Sequence, residues 1–281
     1  MRRPPNGAGG RRVDLHAHTI FSDGLLSPED LVARAARRGL AALAITDHDS
    51  VEALPRARAA APPGLEIVPG VEISAAMDDL DVHLLGYFVD PDHAGLRARL
   101  DRFHGERQER VREIARRLGD LGLPIDVDRV MAAAGPGVVG RPHVAAAMVE
   151  AGLVTDFDQA FRSFLSAQGA AYVPRPHFDV REAIELIHAA SGVSVLAHPG
   201  PTFADDGIER LVQIGLRGVE VWHPLHGTAA VRRYRGLAER WGLVETGGSD
   251  FHGPQRGTDL GDVPVPATVL ERLKEVAGVT G

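Results

Sequence analysis

Short apolar runs of strand length alternate with amphipathic stretches, and nearly every run ends in histidine or a carboxylate. Leu40 to Thr46 ends in Asp47-His48-Asp49, and Leu65 to Val68 leads to Glu72. Val82 to Tyr87 carries His83, and Val193 to Ala197 ends in His198. Gly218 to Trp222 ends in His223, and Leu243 to Thr246 leads to Asp250 and His252. Helix signals fill the gaps. Ser27 is an N-cap before Pro28, Glu29 and Asp30, and Gly39 stops the stripe of Leu31, Val32, Ala35 and Ala36. Strands alternating with helices predict a parallel sheet or barrel. In such a barrel the site lies at the carboxyl ends of the strands, where this chain spends most of its histidines.

The first run, Val13 to Gly24, holds His16-Ala17-His18. Side chains at i and i+2 of a strand share a side, so both imidazoles can reach one ion while Val13, Leu15 and Ala17 face a core. Asp23 follows after a turn, close enough to serve the same cavity. Asp250 and His252 form a second i, i+2 pair. The chain has no cysteine, which removes thiolate sites and disulfides. A nitrogen and oxygen donor set suits divalent zinc, manganese or iron. Asp47, Glu220 and His226 read as ordinary buried polar groups or as partners that orient the ligand imidazoles.

The rhythm breaks between about Asp92 and Ala171. Leu96 to Leu118 predicts a long amphipathic helix with Leu96, Leu100, Phe103, Val111, Ile114 and Leu118 on one side. Its arginines alternate with acids at helical pairing distances and read as a solvated face. Shorter helices follow around 127–134, 142–151 and 156–165. The expected organisation is a tail over residues 1–12, a catalytic unit over 13–91 and 172–281, and a helical insertion over 92–171 that can form a lid. A net charge of −7 provides no global field for nucleic acid, so no extended nucleic-acid surface is expected. No apolar run is long enough to span a bilayer, and Met1–Arg12 lacks the apolar core of a signal peptide. The expectation is a cytoplasmic protein.

His16-x-His18, Thr46-Asp47-His48-Asp49, Gly70-Val71-Glu72, His83, Ala197-His198-Pro199 and Gly248-Ser249-Asp250-x-His252 resemble, in order, the motifs of the PHP (polymerase and histidinol phosphatase) superfamily. The resemblance implies an α/β fold, a distorted (β/α)7 barrel with a small helical insertion, and two or three divalent metal ions (Mn, Fe or Zn). It implies a first metal on His16, His18, Glu72 and Asp250, and a second on Glu72, His83 and His198. A third would take Asp23, His48 and His252; many relatives carry histidine where this chain has Asp23. Gly140-Arg141-Pro142-His143 and Tyr172-Val173-Pro174-Arg175-Pro176 resemble the subfamily that acts on nucleoside 3′,5′-bisphosphates or as 5′-3′ exoribonucleases.

That subfamily implies a hydrolase of nucleotide phosphate esters, working through a metal-activated hydroxide on a small phosphorylated nucleotide or short oligonucleotide. Arg141 and Arg175 suit phosphate, because a guanidinium matches its oxygens bidentately. His143 is a phosphate contact or helix surface, and His223 a substrate contact or proton donor. The alternatives are a phosphatase for another small monoester such as histidinol phosphate, and a non-catalytic metal-binding module. An amidohydrolase-type site with a bridging lysine is disfavoured, because Lys274, near the C-terminus, is the sole lysine.

Overall fold

The computed structural model describes residues 12–78, 80–135, 137–200, 203–254 and 257–279. The tail expected over residues 1–12 lies, except for Arg12, outside the described residues. Seven strands form one sheet in chain order: β1 (Arg12–Asp14), β2 (Leu40–Ile45), β3 (Glu66–Met77), β4 (Leu80–Tyr87), β5 (Val193–Leu196), β6 (Gly218–Trp222) and β7 (Val244–Gly247). The helices α1 (Pro28–Arg37) and α2 (Leu54–Ala60) lie between the first three strands. Ser27 caps α1 as the sequence predicts, its hydroxyl accepting from the Asp30 amide.

The sheet is mixed, which corrects the expectation of an all-parallel one. β4 runs antiparallel to both β3 and β5. β3 continues through Pro69 and Gly70 to Met77 and turns back as a hairpin, with Asp78 at a positive φ. No helix crosses over there, so the chain has no means of returning parallel. Nor is the ladder closed, because β1 and β7 do not pair as strands. The segments beyond them do. Leu15 donates to the Gly247 carbonyl at 3.1 Å and His18 to the Phe251 carbonyl at 2.9 Å, and Ala17 bridges Phe251 in parallel. The ring is thus completed only at the end that carries the polar residues.

Between β4 and β5 lie α3 (Ala94–Asp120), α4 (Val127–Ala133), α5 (Arg141–Glu150), α6 (Phe157–Ala160) running into a π-helical turn (Phe161–Leu165), and α7 (Val180–Ala189). α8 (Asp205–Gln213), α9 (Thr228–Trp241) and α10 (Thr268–Ala277) complete the chain. Three apolar clusters hold these layers together. One lies between the sheet and its helices and includes Leu31, Leu43, Ile73, Leu84, Ile184 and Val219. A second sits inside the sheet, where Leu15, Ala44, Leu85, Tyr87 and Val195 meet Leu270 and Leu273 of α10. The third belongs to the helical segment, with Val111, Ile114 and Leu118 of α3 against Val130, Val144 and Met148.

The expected alternation of the first run fails at one point. Val13 and Leu15 belong to the inner cluster, Ala17 to the outer one. The period of two breaks beside His16, which lets an inward Leu15 be followed by imidazoles that also face the strand ends. Tyr87 fixes this break by donating its hydroxyl to the Leu15 carbonyl at 2.8 Å. Gly248 lets β7's extension pass against it. A Cβ there would lie 2.8 Å from Asp14 Oδ1 and closer still to the His16 backbone.

Candidate metal centre

The strand ends bring all nine sequence-predicted ligands into one cluster. Glu72, fully buried on β3, is its hub. Its Oε2 lies 3.1 Å from His16 Nε2, 3.2 Å from His18 Nε2 and 3.2 Å from His48 Nδ1. Its other oxygen, Oε1, lies 2.9 Å from His83 Nδ1 and 2.8 Å from His198 Nε2. One carboxylate therefore faces two sets of imidazoles, as a bridging ligand must. Asp250 Oδ1 completes the first set, 3.4 Å from His16 Nε2 and 3.2 Å from His18 Nε2. On the far side Asp23 Oδ1 lies 3.2 Å from His252 Nε2, and His18, Asp23, His48 and His252 form a further group of donors. Asp23 thus groups with His252 and His48 rather than with His16.

Several of these donors lack the hydrogen bonds that would satisfy them without an ion. His18 Nε2, His48 Nδ1 and His83 Nδ1 are buried without a well-formed hydrogen bond, although carboxylate oxygens approach them closely. His16 Nε2 and His198 Nε2, by contrast, lie in hydrogen-bonding geometry with Glu72. A tetrahedral ion with ligands at about 2.0–2.1 Å separates those ligands by about 3.3 Å. The carboxylate–imidazole contacts of the first set run from 3.1 to 3.4 Å. The donor set fits divalent ions.

The electrostatics agree. Burial opposes charge on His18, but Asp250 and Glu72 outweigh it and raise its pKa to about 10. His48 goes the other way: burial depresses its pKa to about 3. Burial also opposes charge on Glu72 and Asp250, yet neighbouring histidines hold both well below the usual carboxylate range. Three residues at the site keep left-handed backbone conformations: Asp49 with φ 51°, His198 with φ 23° and Asp250 with φ 51°. Such strain in non-glycine residues gathers at functional sites.

Around the cluster stand Glu220, Asp47 and His226, which the sequence leaves between ordinary buried polar groups and orienting partners. Glu220 Oε1 lies 3.0 Å from His16 Nδ1, so it accepts a hydrogen bond from the Nδ1–H and leaves Nε2 for the cluster. Its Oε2 accepts the His198 amide at 2.7 Å. Asp47 accepts from the Thr19 amide, the Thr19 hydroxyl and the Ser22 hydroxyl, each at 2.7 Å, and ties down the turn after His18. His226 accepts from the Gly200 amide, and its Nδ1 lies 2.9 Å from the Val221 carbonyl. His223 is buried with Nε2 3.3 Å from Asp250 Oδ2, and its Nδ1 accepts the Leu225 amide at 3.1 Å.

The candidate substrate residues fall beside the cluster. Arg175 reaches Asp81 Oδ2 at 3.1 Å, and Arg141 donates to the Leu165 carbonyl at 3.2 Å. His143 Nδ1 accepts the Gly140 amide at 3.1 Å at the start of α5. Two residues missed in the sequence join them: Arg107 and Arg110 of α3. Arg107 binds Asp49 and reaches Ser74 Oγ at 3.0 Å. Arg110 is 8% exposed, donates Nε to the Val173 carbonyl at 2.8 Å, and leaves Nη2 buried without a partner. Burial, then Arg141, Arg175 and Arg107, depress its pKa to about 9. Arg107, Arg110 and Arg175 line a cavity of about 200 Å3 that Asp49, Ser74 and Asp81 also border. The sequence held a signal for this pair. Positions 96, 100, 103, 107, 110, 114 and 118 follow a single helical stripe, in which two arginines stand where apolar residues belong.

Comparison with known proteins agrees with the geometry. The PHP domain family model matches residues 14–116. A 3′,5′-nucleoside bisphosphate phosphatase of Chromobacterium violaceum is 36% identical over 259 residues, which cover 89% of this chain and 90% of that one. The 5′-3′ exoribonuclease Rnm of Salmonella typhimurium is 35% identical over 256 residues, covering 88% of this chain and 87% of that one. A solved Bifidobacterium adolescentis structure described as a metal-dependent phosphoesterase superposes with a TM-score of 0.87 at 32% identity, covering 97% of each chain.

Proposed function

The chain belongs to the PHP domain family and is a metal-dependent phosphoesterase, and we propose that its substrates are nucleoside 3′,5′-bisphosphates and short 5′-phosphorylated oligonucleotides. The observation that carries this reading is the arginine pocket beside the donor cluster. One phosphate ester on the cluster gives no reason to bury Arg110 among Arg107, Arg141 and Arg175. A second phosphate on the same substrate does, because its two charges offset the guanidinium groups and give Arg110 Nη2 its missing partner. The C. violaceum and S. typhimurium relatives carry names for such substrates. Histidinol phosphate fits less well, since its ammonium group would meet these cations.

His16, His18, Glu72 and Asp250 would hold one ion, Glu72, His83 and His198 a second, and Asp23, His48 and His252 a third, drawn from Mn, Fe or Zn. Such ions supply Lewis acidity towards phosphoryl oxygens and acidify water at the site. The remaining work belongs to the chain. Glu220 keeps the proton of His16 on Nδ1. Arg107, Arg110, Arg141 and Arg175 hold the second phosphate, so the scissile one is fixed over the cluster. His143, at the start of α5, adds a phosphate contact. The Leu225 amide occupies His223 Nδ1, so the ring presents its Nε2–H beside Asp250, where it can donate a hydrogen bond to the leaving oxygen. Residues 92–171 supply three of the four arginines and act as a lid. No helix among the described residues is long and apolar enough to cross a membrane, and a cytoplasmic location suits nucleotide substrates.

The test is phosphate release or chain shortening with manganese present, on adenosine 3′,5′-bisphosphate, a 5′-phosphorylated trinucleotide and histidinol phosphate. Turnover of the first two is expected. Turnover of histidinol phosphate alone overturns the reading.

A further inference from the structure

A second cavity, of about 610 Å3, opens on the Asp23 side of the cluster and shares no lining residue with the arginine pocket. Ser22 and Asp23 are among its lining residues, so whatever fills it meets a candidate ligand. Its walls are Ile20 and Leu25 from the turn after His18, Ile125 and Ala133 of the α4 region, and Ala146 of α5. The chemistry differs from that of the arginine side. Arg129 is paired with Glu150 at 2.7 Å, and Asp126 is engaged in capping α4. These pairings leave His143, whose Nδ1 accepts the Gly140 amide, as the remaining basic side chain of the wall, against a cluster of guanidinium groups in the other cavity. Leu25, 47% exposed, offers apolar surface to the opening. The volume lies in the range of about 300–1,000 Å3 typical of small-ligand sites.

The two cavities share no lining residue, one being bordered by Asp23 and the other by Asp49 and Asp81, and a nucleotide strand has a direction. With a 5′-phosphate among the arginines and the next phosphate over the cluster, the following nucleoside must leave on the side away from the arginines. We propose that the cavity between α4, α5 and the Ile20–Leu25 turn is the subsite for the nucleoside 3′ of the scissile phosphate. This rests on the nucleotide reading above and makes the oligonucleotide the longer-reaching substrate of the same centre. The aliphatic walls accept any base by its face, so the subsite discriminates chain length and not sequence. A nucleoside 3′,5′-bisphosphate ends at the cluster and does not enter it.

The experiment compares kcat/KM for adenosine 3′,5′-bisphosphate and a 5′-phosphorylated trinucleotide in wild type and Ala133→Trp, both loaded with manganese. Ala133 is exposed, so the indole enters the cavity without disturbing a core. The ratio of trinucleotide to bisphosphate efficiency should fall at least about tenfold, mostly through KM. Leu25→Asp, which sets a negative charge against the incoming strand, should lower the same ratio and serves if Ala133→Trp does not fold. A ratio unchanged in a folded variant overturns the subsite while leaving the nucleotide reading intact. A wild type inactive on both substrates overturns the nucleotide reading itself. Trinucleotides differing in the second base should be cleaved within about threefold of one another; a strong base preference also contradicts the proposal.

Discussion

Replacing Glu220 by glutamine keeps the side chain's volume and removes one acceptor. Both of its close partners are donors: His16 Nδ1 at 3.0 Å and the His198 amide at 2.7 Å. A carboxylate accepts from both, and an amide accepts from one. If the amide oxygen keeps the His198 N–H, the NH2 confronts His16 Nδ1, which must then give up its proton. That proton moves to Nε2, the atom that faces Glu72 and Asp250. Losing an orienting partner of this kind costs about 10–100-fold in metal affinity, or about 1.4–2.7 kcal/mol. Without metal, loss of a hydrogen bond to a charged group costs about 1.5–3 kcal/mol of stability. Competition with a chromogenic chelator measures the first quantity, and denaturant unfolding the second. If Glu220→Gln holds its ions within about twofold of wild type, His16 is not ligating through Nε2 in the way described.

Three further outcomes follow from particular contacts. Arg110→Met should raise KM for adenosine 3′,5′-bisphosphate by about 10–100-fold, the value of one charge-assisted phosphate contact. It should leave the melting temperature equal or higher, because a buried cation among three others is removed; a fall in stability with unchanged KM refutes the phosphate role. Metal affinity should rise with pH between about 6 and 9, with protons released on binding. In the metal-free protein Asp250 and Glu72 prevail over burial to keep His18 charged up to about 10, so the ion has to displace that proton. Calorimetry in buffers of different ionisation enthalpy detects the release, and a pH-independent affinity contradicts it. Gly248→Ala should destabilise by about 2–3 kcal/mol through overpacking against Asp14 and His16, visible in urea unfolding.

The donor cluster was legible in the sequence because its information is local. Most ligands sit at or just beyond the end of an apolar run, His83 lies inside one, and the His16/His18 and Asp250/His252 pairs need only the strand period to be recognised. Glu220, inside the run Gly218 to Trp222, read as readily as an ordinary buried carboxylate, and its contact with His16 appears only when distant segments meet. What escaped depends on how distant segments meet. The antiparallel β4 follows from a hairpin after Met77, in a stretch whose composition matches that of a parallel strand. The break in alternation beside His16 arises where β1's extension meets β7's, a contact between residues far apart in the chain. Arg107 and Arg110 look like members of a solvated row until α3 is laid against Asp49 and Val173. Their place in the apolar stripe was present in the sequence, but the ion pairs on the rest of that helix concealed it.

The account turns on Glu72 serving more than one ion through its two oxygens. Elemental analysis of wild type and Glu72→Gln, each reconstituted with manganese and desalted, tests this directly when paired with phosphate release from adenosine 3′,5′-bisphosphate. Wild type should retain about two to three ions per chain, and the variant about one or fewer, with activity lower by at least about 100-fold. A variant that keeps the wild-type metal content and turnover contradicts the central role given to Glu72.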